Sequence, residues 1–90
     1  MAVRLRIHGR VQGVGYRAWL ACEASALQLD GWVRNRSDGT VEALLIGDSE
    51  AIDQLAQRCE VGPRMARVDR VERAATSETA LSGFTQRATW

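Results

Sequence analysis

The residues in this sequence that are best suited to chemistry lie in one glycine-rich stretch, residues 8–17, His-Gly-Arg-Val-Gln-Gly-Val-Gly-Tyr-Arg. Glycines let the backbone curl so that successive N–H groups point inward, and a helix that begins near Arg17 adds its free amides and the positive end of its dipole. Arg17 itself supplies a planar, permanently charged guanidinium that can pair with two phosphate oxygens at once. The stretch therefore predicts an anion site, and we call residues 12–16 the cradle.

A plain reversal of the chain is the alternative interpretation of this stretch. Glycine-rich turns between a strand and a helix are common, and the pattern has neither the Gly-Lys-Ser/Thr of a nucleotide-binding P-loop nor a full dinucleotide fingerprint. Anion binding is favoured because no Asp or Glu occurs from Gly9 to Arg17. A carboxylate at such a place would repel a phosphoryl group.

The order of residues in this stretch points to one protein family, which is more specific than anion binding in general. Residues 9–17 resemble the phosphate-binding signature of acylphosphatases, and residues 31–35, Gly-Trp-Val-Arg-Asn, are similar to the second signature of that family at a similar separation. A third match follows at residues 62–68, so the resemblance extends over nearly the whole chain. It implies an enzyme that hydrolyses a small acyl phosphate to a carboxylate and inorganic phosphate, with no metal or other cofactor.

The resemblance also implies a role for each residue of the site. In acylphosphatases the arginine that matches Arg17 binds the phosphate, and the asparagine that matches Asn35 positions the attacking water. A carboxamide suits that task because it can both donate to and accept from a water without adding charge beside a phosphate. The residues that we expect to bind the substrate are those of the cradle, Gln12, Gly13, Val14, Gly15 and Tyr16.

Charge and length limit the remaining classes of function. The chain has 90 residues, expected to form a single domain over residues 1–90, and its twelve basic and eleven acidic residues leave a net charge of +1. This balance argues against a nucleic-acid or membrane-surface binder. No metal site is expected, because His8 has no partners at ligand spacing. Without a signal peptide or a membrane-spanning apolar run, we expect a cytoplasmic protein. A small, near-neutral domain without a spare apolar stripe is expected to be a monomer.

Cys22 and Cys59 are far apart and form no Cys-x-x-Cys pair. We expect both to be small, reduced core residues, with a disulfide between the two helices as the alternative.

The elements that must position the site follow from periodicity, turn residues and caps. The predicted strands cover residues 3–7, 31–36, 40–46, 66–72 and 84–89, and the predicted helices cover residues 17–27 and a segment that opens at 47–50, with Asp48 or Ser49 as its cap, and stops at 62–63. An Asp-Gly hairpin at residues 38–39 and a polar linker over residues 74–83 connect them. Because Val68 and Val71 are three residues apart, the fourth strand is expected to contain a bulge or to form an irregular edge.

Gln28 stands at the end of the first helix, where acylphosphatases usually have a glycine between two leucines. If the residue must take a left-handed cap conformation, its side chain costs about 1 kcal/mol relative to glycine. This departure affects stability rather than chemistry.

The order of elements predicts an α+β fold of the ferredoxin-like, split βαβ type. Such a fold has a mainly antiparallel five-stranded sheet with two helices on one face. The crossover through the first helix makes the first two strands parallel, with the third strand between them. Their C-terminal ends then meet at one edge, about 10 Å apart, which places Asn35 near the cradle.

Two other functions are compatible with this fold. RNA-binding modules use the same order of elements, but they stack bases on sheet aromatics, and the third strand here carries Glu42, Ala43 and Leu44 instead. A regulatory phosphate-binding module is the nearer alternative, because acylphosphatase-like domains also occur fused to carbamoyl-transfer enzymes. The presence of both Arg17 and Asn35 favours a free-standing enzyme.

Overall fold

Two helices and five strands are present in the part of the protein that the structure describes. The structure is a computed structural model that describes residues 1–78 and 82–89. In chain order its elements are β1 (Ala2–Arg10), α1 (Tyr16–Ala26), β2 (Asp30–Asn35), β3 (Val41–Ile46), α2 (Ser49–Cys59), β4 (Arg67–Ala75) and β5 (Phe84–Gln86). Among the described residues, no helix is long and apolar enough to cross a membrane.

The strands form one mixed sheet in the order β4-β1-β3-β2-β5. β3 lies between β1 and β2 and is antiparallel to both, β4 is antiparallel to β1, and β5 is parallel to β2. The ferredoxin-like prediction is therefore confirmed, including the parallel relation of β1 and β2. Because both strands run toward the same edge, the loop that leaves β1 and the end of β2 are brought together there.

The core lies between one face of the sheet and the two helices. Val3, Leu5 and Ile7 on β1 are each at most 1% exposed and belong to the same apolar cluster as Leu20 of α1 and Leu55 of α2. The residues between them on β1 lie on the opposite face, which carries no helix and which we call the open face. The alternation predicted for this strand is confirmed, and β1 extends beyond the predicted residues at both ends.

The predicted bulge in β4 is present. His8 lies opposite Arg70, whereas Gly9 lies opposite Val68, so that Asp69 is the extra residue. The bulge lets both Val68 and Val71 pack against the core despite their spacing of three. Gly9 is required at this point because a Cβ atom there would lie 2.2 Å from the carbonyl oxygen of Arg67.

The first helix ends in a left-handed cap at Gln28, the case for which the sequence gives a cost relative to glycine. Gln28 has a φ of 59° and donates its N–H to the carbonyl of Ser25 at 3.0 Å. Leu29 donates to Ala24 at 2.9 Å, which completes a Schellman motif with Leu29 buried beneath it. Both hydrogen bonds of this cap are formed although a glutamine occupies the position that favours glycine.

Three expectations need correction. Cys22 is exposed, not a core residue, because it lies on the side of α1 opposite Leu20 and Ala24, whereas Cys59 is buried; both thiols are free. β4 continues to Ala75, so the expected linker begins later, and residues 79–81 of it lie outside the described part. β5 ends at Gln86 rather than at residue 89.

Candidate active site

The cradle connects β1 to α1 and is fixed at both ends by buried side chains. Val11, just before it, and Tyr16, its last residue, are each 1% exposed. Between them Gly13 and Gly15 have left-handed φ values of 73° and 80°, and a Cβ atom at either position would meet nothing within 4 Å. Glycine is therefore favoured at these positions by backbone conformation rather than by space.

The backbone N–H groups of this region are free. None of those of residues 12–18 donates a hydrogen bond to another residue within 1–78 or 82–89. Gly15 is the N-cap of α1 and provides no side-chain cap, and the first turn of the helix contains no acidic residue. Free amides and the positive end of the helix dipole thus reinforce each other, which is the arrangement that binds anions.

A cavity of about 170 Å³ opens beside these amides. It is lined by Val11, Gly13, Gly15, Tyr16, Arg17, Ala18, Asn35 and Gln86. The structure therefore brings Arg17 and Asn35 into one cavity with the two glycines of the cradle. None of the lining residues is acidic.

Arg17 is held by the C-terminal part of the chain. Its Nη1 donates to the carbonyl oxygen of Arg87 at 3.0 Å, and the N–H of Arg87 donates to the carbonyl of Val33 at 2.8 Å. Within the described ranges, Arg17 forms no ion pair with a carboxylate. Its charge is oriented by a neutral carbonyl and is still available to an anion. No pattern in the sequence indicates this contact.

Asn35 ends β2 on the helix side of the sheet, where it lies opposite Val41. Its Oδ1 atom is buried and has no hydrogen-bond partner among the residues that the structure describes. A buried acceptor left without a partner costs about 1–3 kcal/mol, so such atoms in native proteins usually bind a water or a ligand. The carbonyl oxygen of this side chain is therefore ready to accept a hydrogen bond inside the cavity.

The side chains of three cradle residues are engaged elsewhere. Gln12 donates from Nε2 to the carbonyls of Arg36 and Thr40, at 2.7 and 2.9 Å. Val14 packs against the core. Tyr16 donates its hydroxyl to the carbonyl of Cys59 at 2.7 Å. Tyr16 lines the cavity, whereas Gln12 and Val14 are not among its lining residues.

The hydroxyl of Tyr16 is unsuited to proton transfer. Burial, together with the nearby Cys59, raises the pKa of this phenol far above its ordinary value of 10.0. The ring packs edge-on against Trp19, with 5.3 Å between the ring centroids. Tyr16 thus forms a wall of the site, and Trp19 is a packing residue.

The open face differs from the sheet surface that an RNA-binding module uses. Trp32 is its aromatic residue, but it is only 3% exposed because the guanidinium groups of Arg34 and Arg87 lie over its ring, at 4.6 and 5.0 Å from the centroid. His8 lies on the same face and contacts Glu72. In the described part of the chain, no three His, Cys, Asp or Glu side chains form a group that could hold a metal ion.

Comparisons with known proteins agree with this geometry. The acylphosphatase family model matches residues 3–86. The acylphosphatase of Azorhizobium caulinodans is 52% identical over 88 residues, which cover 97% of this chain and 95% of that protein. The acylphosphatase of Acidiphilium cryptum is 46% identical over 89 residues, with coverages of 99% and 98%.

Among solved structures, the crystal structure of acylphosphatase from Bacillus subtilis superposes with a TM-score of 0.91 at 32% identity. The superposition covers 96% of this chain and 97% of that one. The similarity thus extends from the sequence to the whole arrangement of helices and strands. The chain belongs to the acylphosphatase family.

Proposed function

We propose that this protein hydrolyses the carboxyl-phosphate bond of small acyl phosphates, with the phosphoryl group bound by the cradle backbone and Arg17 and the water positioned by Asn35. Membership of the family supports the reaction. The roles of the residues are supported chiefly by one observation: within the described residues, backbone N–H groups without an acceptor, a guanidinium without a carboxylate partner and the unpartnered Oδ1 of Asn35 meet at one cavity.

The reaction needs stabilisation of charge more than proton transfer. The water oxygen attacks phosphorus, the bond from phosphorus to the carboxyl oxygen breaks, and the carboxylate leaves with the electron pair. A carboxylate is a weak base, so its departure requires no strong general acid. Negative charge on the phosphoryl oxygens is met by the amides of the cradle and the guanidinium of Arg17, which are oriented before the substrate arrives.

The proton of the water passes to a phosphoryl oxygen. The lining of the cavity contains no carboxylate or histidine that could accept it, and the Tyr16 hydroxyl is already engaged with Cys59. Asn35 accepts a hydrogen bond from the water through Oδ1 and so aims a lone pair of the water oxygen at phosphorus. Gln12, Gly13, Val14, Gly15 and Tyr16 contribute to binding through their backbone.

The enzyme acts as a cytoplasmic monomer formed by a single domain, and it needs no cofactor, nucleic acid or membrane. We expect sedimentation equilibrium to give the mass of one chain, and we expect hydrolysis of benzoyl phosphate to continue in the presence of EDTA. A loss of activity in EDTA that Mg²⁺ restores would contradict the cofactor-free mechanism.

The roles of Arg17 and Asn35 are tested with Arg17→Ala and Asn35→Ala, each shown to be folded by circular dichroism. We expect each change to lower kcat/KM for benzoyl phosphate by about 10²- to 10³-fold, the effect of removing one group that stabilises a transition state. Inhibition by inorganic phosphate separates the roles, because Arg17→Ala weakens it strongly whereas Asn35→Ala leaves it nearly unchanged.

The matched control is Arg70→Ala, which removes an exposed arginine from the open face. It is expected to keep wild-type kinetics. A folded Arg17→Ala protein with the activity of the control would refute the role of Arg17, and an active Asn35→Ala protein would refute that of Asn35.

A further inference from the structure

The catalytic geometry depends on two parts of the chain that are not covalently close. The phosphoryl group is bound by the cradle, which follows β1, whereas the water is bound by Asn35, at the end of β2. β1 and β2 are not neighbours in the sheet, because β3 lies between them. Pairing with β3 fixes the two strands relative to each other, because Ile7 and Asn35 both lie opposite Val41, but the pairing of β1 with β3 ends at Ile7, five residues before the cradle. A contact beyond this pairing is therefore needed to hold the cradle itself against the end of β2.

The side chain of Gln12 makes that connection. Its Nε2 donates to the carbonyl of Arg36 at 2.7 Å and to the carbonyl of Thr40 at 2.9 Å. The two acceptors lie just beyond the pair formed by Asn35 and Val41, in the hairpin that joins β2 to β3. Both amide protons are thus used at the end of the strand that carries the water-binding residue.

We propose that Gln12 is a positioning residue that ties the cradle to the β2–β3 hairpin and so sets the distance between the bound phosphoryl group and the water on Asn35. This inference rests on the proposed function. It assigns the side chain of Gln12 a task that is distinct from substrate contact, while the N–H of the same residue belongs to the cradle.

Only a primary amide of this length makes both contacts. A glutamate has no protons to donate and would place a negative charge against two carbonyl oxygens, and an asparagine is one methylene shorter. The hairpin itself does not depend on Gln12, because Arg36 donates to Thr40 at 2.8 Å and Gly39 donates to Arg36 at 3.1 Å. In addition, Asp38 accepts hydrogen bonds from the N–H and the hydroxyl of Thr40.

These features predict a kinetic effect that is separable from folding. The hairpin keeps its own hydrogen bonds without Gln12, and the cradle keeps its anchors at Val11 and Tyr16. Phosphate binding should therefore persist, while the water is displaced relative to phosphorus. A displacement of about 1 Å at a reacting centre can lower a rate by about 10²-fold.

The experiment measures kcat and KM for benzoyl phosphate, and the inhibition constant of inorganic phosphate, in Gln12→Met and Gln12→Glu. The control is Gln54→Met, which changes an exposed glutamine of α2. We expect Gln12→Met to lower kcat about 10- to 100-fold and to change the phosphate inhibition constant by less than about threefold. Gln12→Glu should lower kcat at least as much, and the control should match wild type.

A double-variant cycle decides whether Gln12 acts through Asn35. If it does, Gln12→Met combined with Asn35→Ala is no slower than Asn35→Ala alone. Losses that multiply would overturn the inference, as would a wild-type kcat in Gln12→Met. Failure of both Gln12 variants to fold would also overturn it, because the connection would then be required for the fold.

The two proposals fail in different ways. If Arg17→Ala and Asn35→Ala are inactive but Gln12→Met is fully active, only the inference about Gln12 is wrong. If the wild-type protein hydrolyses no acyl phosphate, the proposed function is wrong and the inference about Gln12 is overturned with it.

Discussion

The N-termini of the two helices are built in opposite ways. Both helices have eleven residues and present the same positive dipole end. α2 begins after Asp48 and has Glu50 in its first turn, so carboxylates of its own lie beside that end. α1 begins after Gly15 and has no acidic residue in its first turn. The positive end of α2 is compensated by carboxylates of the protein, whereas the first turn of α1 has no carboxylate of its own.

The arginines show the same contrast. On the open face, four arginines surround the carboxylate of Glu42, which is 4% exposed, at distances of 2.8 to 3.7 Å; they are Arg4, Arg6, Arg34 and Arg36. Arg17 at the cavity contacts the neutral carbonyl of Arg87 instead. A net charge of +1 conceals this difference. Positive charge is compensated where it supports the fold and uncompensated where a phosphoryl group is expected to bind.

Of the changes that test the contrast between the two helix ends and the two arginine environments, the largest effect is expected from making α1 resemble α2. Ala18 is exposed, lies in the first turn of α1 and lines the cavity, so Ala18→Glu adds a carboxylate without crowding. Repulsion between this charge and a phosphoryl group about 6 Å away should lower kcat/KM and phosphate affinity about 100-fold. The isosteric Ala18→Gln is the control, and equal activity of the two variants would contradict the prediction.

A smaller effect, on stability, is expected from removing the negative charge of Glu42, which compensates the arginines of the open face. Glu42→Gln leaves four arginines around a neutral amide, and we expect it to lower the free energy of unfolding by about 2 kcal/mol at pH 7, measured by urea denaturation. Activity should change little, because Glu42 does not line the cavity. An unchanged stability would show that these ion pairs contribute nothing net.

Glu42 also predicts a pH dependence. Burial raises the pKa of this carboxyl, but the hydrogen bond from Arg34 and the charges of Arg34, Arg36 and Arg4 outweigh it and hold the pKa below the ordinary value of 4.5. Its stabilising contribution is therefore complete above pH 4.5 and is lost as the pH falls through the lowered pKa. Glu42→Gln should flatten the decline of stability in that acidic range, and an equally steep decline in both proteins would contradict this.

The C-terminal end of α1 allows a gain in stability. Gln28→Gly removes the strain of a side chain at a φ of 59° and should raise the free energy of unfolding by about 1 kcal/mol. Gln28→Ala keeps a Cβ atom and should give no such gain. Kinetic constants should be unchanged, because this cap is at the end of α1 away from the cavity.

The smallest effect is expected at the N-terminus of α2. Glu50→Gln removes a favourable charge near the helix dipole and should lower the free energy of unfolding by about 0.5 kcal/mol without altering activity. Glu60→Gln, at the opposite end of the helix, should have the reverse sign. Effects of the same sign would show that the dipole does not explain the difference.

The fold was predictable because the local patterns are strong. Alternation in β1, the Asp-Gly hairpin and the glycine-rich start of α1 each predict one element, and the handedness of the crossover fixes how they assemble. The residues at which strands end, and the exposure of single side chains, were less predictable. β5 ends at Gln86, although Arg87 still donates its N–H to Val33 of β2 while its carbonyl accepts from Arg17. α1 turns Cys22 outward because Leu20 and Ala24 set its buried side.

The residues that meet at the cavity were largely predictable, but the hydrogen bonds that hold Gln12 and Arg17 in place were not. The topology requires the cradle and the end of β2 to meet, and the structure places Arg17 and Asn35 on one cavity; their roles stay predictions. The partners of Gln12 and Arg17 lie 24 to 70 residues away along the chain. Such contacts depend on how loops pack after the sheet has formed, which periodicity and spacing do not encode.

The position of β1 inside the sheet, between β4 and β3, has a consequence for how quickly the protein acquires activity. Ala2 pairs opposite Ile46 and Val3 opposite Ala75, so the first strand finds its neighbours only after long loops close. Loop closure costs entropy before the contacts are made, and chains of this kind fold in roughly milliseconds to seconds. Arg17 is oriented only once the segment at Arg87 has docked. Recovery of hydrolysis during refolding should therefore report the closing step of assembly, later than the appearance of helical structure.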